Sequence, residues 1–129
     1  MSQFITELCL QLKNGDTVRV LEKPLGYYSS MLKLLVTVPT GFETDLASVP
    51  RLPFTYWLWG GRAHREGVLH DYLYRKDSVP VVKRSVADRV FLEAMKLRGK
   101  PRRVRWPMYS GVRIGGWTAY HKKFVGDKL

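Results

Sequence analysis

The residues best equipped for chemistry are His70, Asp71 and Asp88. The first two are adjacent in Gly67-Val68-Leu69-His70-Asp71-Tyr72-Leu73-Tyr74, and the third follows in Ala87-Asp88. An imidazole next to a carboxylate, with a second carboxylate eighteen positions on, is the material of general-base catalysis: one acid holds the ring, and the ring takes a proton. If both sites lie on helices, His70 and Asp71 point about 100° apart, so one meets a neighbouring helix while the other addresses a loop. Asp88 stands one turn from Phe91 and Leu92 and two from Met95, on or beside an apolar face where a carboxylate needs a partner. Antiparallel packing would let Asp88 accept from one nitrogen of His70, making His70 and Asp88 the candidate catalytic pair.

The elements that must position these groups follow from periodicity. Val68, Leu69, Tyr72 and Leu73 predict a helix over Arg62 to Arg75. Val86, Val90, Ala94 and Leu97 predict a second from about Pro80 to Leu97, with Pro80 in its first turn and Gly99 and Pro101 as the stop. Pro107 to Tyr120 is the expected third, weakened by Gly111, Gly115 and Gly116. Before them, residues 1–40 read as β structure. Alternation around Cys9 and Gln11, the turn Asn14-Gly15-Asp16 and the run Thr17 to Leu21 predict a hairpin, and Lys33 to Val38 predicts another strand. The expected fold is therefore α+β, a small N-terminal antiparallel sheet followed by two or three packed helices in one domain.

Between them, residues 41–61 form a Pro- and aromatic-rich loop carrying further candidates. Asp45 could join Asp71 as a second carboxylate ligand for a cation, with carbonyl oxygens near Gly60 and Gly61; oxygen ligands of this kind favour calcium over zinc. Ser48 lacks the Gly-x-Ser-x-Gly setting of an activated nucleophile, and Arg51 would tie Asp45 into a purely structural loop. Zinc through His64 and His70 is disfavoured, since a spacing of six sets them about 240° apart on a helix. The single cysteine, Cys9, excludes an internal disulfide and reads as a small buried hydrophobe.

The charge is distributed unevenly. The 129 residues carry +11, of which Lys96 to Leu129 supply +9, ten Lys or Arg against Asp127 alone. Aromatic residues interleave with these cations, so Arg102, Arg103, Arg105, Trp106, Lys122 and Lys123 are candidates for an anionic partner: nucleic acid, an anionic lipid surface, or an acidic protein. A solvated basic tail is the bland alternative. No apolar run has the ~20 residues of a membrane span, and no signal peptide is evident, which predicts a protein that begins in a cytoplasm.

The His70-Asp71-x-x-Tyr74 string followed by Asp88 resembles the calcium-dependent secretory phospholipases, over residues 60–95. That resemblance implies His70 as base, Asp71 as metal ligand, Tyr74 as packing tyrosine and Asp88 as orienting carboxylate. The sequence departs from that family in lacking its cysteines and its glycine-rich calcium loop. Across residues 35–118 the chain also resembles a family of small tailed-phage and prophage proteins defined as a domain of unknown function. The blocks that carry this are Val38 to Arg51, Leu69 to Tyr74, and Ala87 to Phe91 with Ala94-Met95. It implies a phage-encoded product acting in the host or the virion, with other phage structural proteins as partners.

Three expectations follow: a metal-dependent hydrolase of phospholipase-like design, a non-catalytic virion or assembly protein with a structural His-Asp network, or a nucleic-acid-binding accessory protein. A buried polar network that fixes helix register would produce the same sequence pattern as the first.

Overall fold

A computed structural model of the chain describes residues 2–6, 9–13, 18–44, 65–99, 102–115, 117 and 120–128. Within these residues the fold is α+β: β1 Gln3–Phe4, β2 Leu10–Lys13, β3 Val18–Leu21, β4 Leu25–Ser29, β5 Leu34–Val38 and β6 Glu43–Thr44, then α1 Arg65–Leu73, α2 Arg84–Leu97 and α3 Arg102–Gly115. No described helix is long and apolar enough to cross a membrane.

Where one sheet was expected there are two small antiparallel ones, of order β1-β4-β5 and β2-β3-β6. The hairpin read around Asn14-Gly15-Asp16 pairs β2 with β3, from Leu10 opposite Leu21 to Lys13 opposite Val18; the turn itself lies outside the described residues. β6 adds to the far side of β3, with Thr44 opposite Arg19, so the start of the supposed loop is a strand. In the other sheet β4 pairs with β5 from Leu25 opposite Val38 to Ser29 opposite Leu34. Leu25 and Tyr27 of β4 and Val36 and Val38 of β5 point into the core, while Leu35 faces outward. Gly26 is needed where it stands: a Cβ there would lie 2.7 Å from Ile5 Cγ1, whose chain crosses over it.

The inward faces of both sheets meet α1 and α2 in one apolar cluster. Leu21, Leu25, Tyr27, Val36, Val38 and Phe42 pack with Val68, Leu69, Tyr72 and Leu73 of α1 and with Ala87, Val90 and Ala94 of α2. A second cluster, Phe91, Met95, Met108 and Val112, joins α2 to α3. Each fully buried side chain of this size contributes about 1.5–3 kcal/mol. Glu93 pins α2 to the β4–β5 turn: Oε1 accepts from Tyr27 Oη (2.6 Å) and Ser29 Oγ (2.9 Å), and Oε2 from the Met31 N–H (3.1 Å).

Several helix boundaries differ from expectation, among them the end of α3, which falls at Gly115 and not Tyr120, and the end of α1, at Leu73 and not Arg75. Residues 80–83 are not helical and α2 begins only at Arg84, after Lys83 in extended conformation, because local bonds hold the preceding chain: Val79 N–H donates to Tyr72 Oη (3.0 Å), Ser78 Oγ donates to Pro80 O (3.0 Å), and Tyr120 Oη donates to Val82 O. Its end is as read, with Gly99 at φ 76° donating to Lys96 O. α3 starts five residues earlier than Pro107, which lies inside the helix, and the buried stripe of Met108 and Val112 holds it against α2 despite the lost N–H.

Candidate functional site

α1 is buried on every side. All residues from Glu66 to Leu73 are shielded, polar ones included. Because successive helical positions diverge by about 100°, its two central polar groups enter different surroundings. His70 turns to α2, and Asp71 turns to β6.

His70 Nε2 lies 2.7 Å from Asp88 Oδ1, and both side chains are 0% exposed. The same oxygen accepts the Tyr74 hydroxyl at 2.5 Å. Oδ2 accepts from Arg113 Nη1 of α3 at 2.9 Å, with Arg84 Nη1 at 3.7 Å. Arg84 also donates to the carbonyls of Val112 and Arg113, 3.0 Å each, placing a positive charge at the C-terminal end of α3. Asp88, on α2, thus gathers donors from α1, from Tyr74 just beyond it and from α3. Burial alone would raise its carboxyl pKa, but the bonds from His70, Tyr74 and Arg113 outweigh it and hold Asp88 below its ordinary value, as the anion. A carboxylate only accepts, so the imidazole proton facing it sits on Nε2, and any proton exchange by His70 would pass through Nδ1. The ring is packed between Tyr74 and Phe91, at centroid distances of 4.2 and 4.7 Å.

Asp71 sits in a second ionic cluster. Its Oδ2 accepts the Thr44 hydroxyl and Arg75 Nη2 (3.1 Å). Arg75 is 3% exposed and spans three parts of the chain, donating also to Glu43 O (2.9 Å) and, through Nη1, to Phe124 O (3.1 Å). The Phe42 ring lies 4.8 Å below its guanidinium. A guanidinium is paired with the Asp71 oxygen, and no cluster of three or more His, Cys, Asp or Glu suited to a metal occurs among the described residues. Asp45, Ser48, Arg51, Gly60, Gly61 and His64 lie outside the described residues.

The structure therefore brings His70, Tyr74 and Asp88 together, and sets Asp71 apart from them in an ion pair with Arg75. Sequence reasoning missed Arg75, Arg84 and Arg113. Arg75 and Arg84 stand at i+4 and i−4 from their acids, a spacing that was readable on a helix; Arg113 carries no such signal. The basic C-terminal residues are in part integral to the fold. Tyr74 O accepts from His121 N–H (2.7 Å), Lys123 O accepts from Lys76 N–H (2.8 Å), and Val125 N–H donates to Asp77 Oδ1 (2.7 Å). Arg102, Trp106 and Lys122 remain exposed, Arg105 and Lys123 are half-buried, and Arg103 belongs to α3.

Burial, and the bond to Asp88, push the Tyr74 phenol well above its usual value, and burial with the Glu93 bond does the same for Tyr27. The stability these phenols contribute is fully present below the unfolded value of about 10 and is lost as pH rises beyond it, since the unfolded chain then releases protons the fold retains. In an alkaline titration followed by tyrosinate absorbance, Tyr27 and Tyr74 should titrate only as the chain unfolds. Reversible titration of all the phenols of the native protein would contradict their buried bonding.

No curated protein and no solved structure matches the chain. Residues 19–112, spanning β3 to the last turns of α3 and so including His70, Asp71 and Asp88, match the model of one family, and the chain belongs to it: the protein family of unknown function DUF1353.

Proposed function

We propose that this protein is a non-catalytic component of a phage virion or of its assembly in the host cytoplasm, and that its His-Asp network is architectural. The observation that carries this reading is the complete burial of both His70 and Asp88, with the carboxylate shared among α1, α2 and α3. Such a node sets the register of three helices, and a buried polar group has to be paired whatever its use. The Asp71–Arg75 pair fits the same role, joining α1 to β6 and to the C-terminal residues. The resemblance to tailed-phage proteins supplies the setting.

A second reading has one specific observation in its favour. His70 Nε2 and the Tyr74 hydroxyl converge on one oxygen of Asp88, the arrangement the phospholipase resemblance implies for an orienting carboxylate. In that reading Asp88 fixes the ring, and His70 takes a proton from an attacking water through Nδ1.

The two separate in one experiment. Wild type and His70→Gln are assayed on phospholipid micelles and an aryl ester with added calcium, alongside calcium calorimetry on wild type and Asp71→Ala, and thermal unfolding. The architectural reading expects no hydrolysis above buffer, no calcium heat, and a lower Tm for His70→Gln. Calcium-dependent hydrolysis by wild type that disappears in His70→Gln would overturn it in favour of the hydrolase.

A further inference from the structure

α3 has two faces of different character. Its inner stripe, Met108 and Val112, is sealed against α2. On the outer side Arg102 and Trp106 fall about 40° apart, with Ile114 farther round the same side. Trp106 is 48% exposed and Ile114 78%, and Trp117, just past the helix, is 64% exposed. Half of the large exposed apolar side chains among the described residues lie from Leu97 onward, in the stretch that carries +9 of the chain's +11.

We infer that this outer face of α3 docks on an anionic phospholipid surface, with Trp106, Ile114 and Trp117 entering the boundary between headgroups and acyl chains and the surrounding Arg and Lys meeting lipid phosphates. Charge complementarity calls for an anionic occupant, and the apolar side chains choose among the anions. Indole rings with neighbouring cations suit the headgroup zone. The most exposed of the three, Ile114, is aliphatic: it has no ring to stack on a base, so a nucleic acid leaves it without a use, whereas an acyl boundary covers it. A second copy of this face would bring like charge against like charge. The inference goes beyond the architectural reading and holds whether or not His70 takes part in chemistry, because none of these three apolar side chains belongs to the network.

The test uses the full chain with vesicles of phosphatidylcholine, alone or with about one third phosphatidylglycerol, read by co-sedimentation and by the blue shift of tryptophan emission. Binding to the anionic vesicles is expected, at least about tenfold weaker on neutral ones and suppressed by about 0.5 M salt. Ile114→Asp, a surface change checked for folding by its thermal transition, should weaken binding about tenfold or more, whereas Leu35→Ala, on the outer side of β5, should leave it unchanged. Equal binding to both vesicle types, no binding by wild type, or an undiminished Ile114→Asp would each overturn the inference. So would binding to single-stranded DNA without binding to vesicles, or a wild-type dimer that Ile114→Asp dissociates, because either result assigns the face to another occupant.

Discussion

Asp88→Ala is expected to lower stability by about 3 kcal/mol or more and the melting temperature by roughly 10 °C. The substitution removes one small side chain, yet it strands three donors that α1, its C-terminal end and α3 bring to α2: His70 Nε2, the Tyr74 hydroxyl and Arg113 Nη1, the first two from fully buried side chains. Stranded buried donors cost more than the bonds they formed were worth. Asp88→Asn keeps the shape and separates charge from volume. With its pKa held below the ordinary carboxylate value, Asp88 contributes stability that is fully present above the unfolded value of about 3.9 and is lost as pH falls through the lower folded value. The acid limb of the stability curve should therefore flatten in Asp88→Asn. Thermal and urea unfolding as a function of pH check both effects. An Asp88→Ala protein that melts with wild type would mean that the three helices do not depend on their shared carboxylate.

Arg75→Met should be almost as costly, about 3 kcal/mol by the same reasoning, since it leaves Asp71 buried without its counter-charge and takes a donor from the carbonyls of Glu43 and Phe124. The partner change Asp71→Asn should cost less, because the amide can still meet Thr44 and the guanidinium keeps two carbonyl acceptors. A double-mutant cycle between them, read by urea unfolding, should give a coupling within 0.5–3 kcal/mol, roughly the span for residues in direct contact. Purely additive effects would show that the pair seen in the fold contributes no energy of its own.

Much of this architecture was readable in the residues. Asn14-Gly15-Asp16 between two apolar runs announced the β2–β3 hairpin, and the stripe of Val90 and Ala94 with Gly99 behind it announced α2 and its end. The meeting of His70 and Asp88 followed from counting positions on two helices. What escaped has physical causes. β4 holds Gly26 where a strand normally carries a side chain, because Ile5 lies over it, and a two-residue strand such as β6 has no period to detect. Pro80 and Pro107 were both placed in first turns, but Tyr72, Ser78 and Tyr120 hold the first outside the helix, and tertiary packing carries α3 straight through the second. α1 is enclosed on all sides, so its polar residues break the amphipathic pattern without marking a solvent face. Arg113 reaches Asp88 from twenty-five residues away, a pairing that only the packing of α3 on α2 creates.

The bond from Arg75 to Phe124 has a consequence for biosynthesis. A chain made from its N-terminus presents Asp71, Thr44 and Glu43 long before residue 124 leaves the ribosome, so the guanidinium of Arg75 begins with one of its three acceptors absent. The same delay applies to the bonds that Tyr74, Lys76 and Asp77 make to residues 121–125. The helical core can thus gather during translation, whereas the ionic seam along the end of α1 closes only when almost the whole of this sequence has emerged.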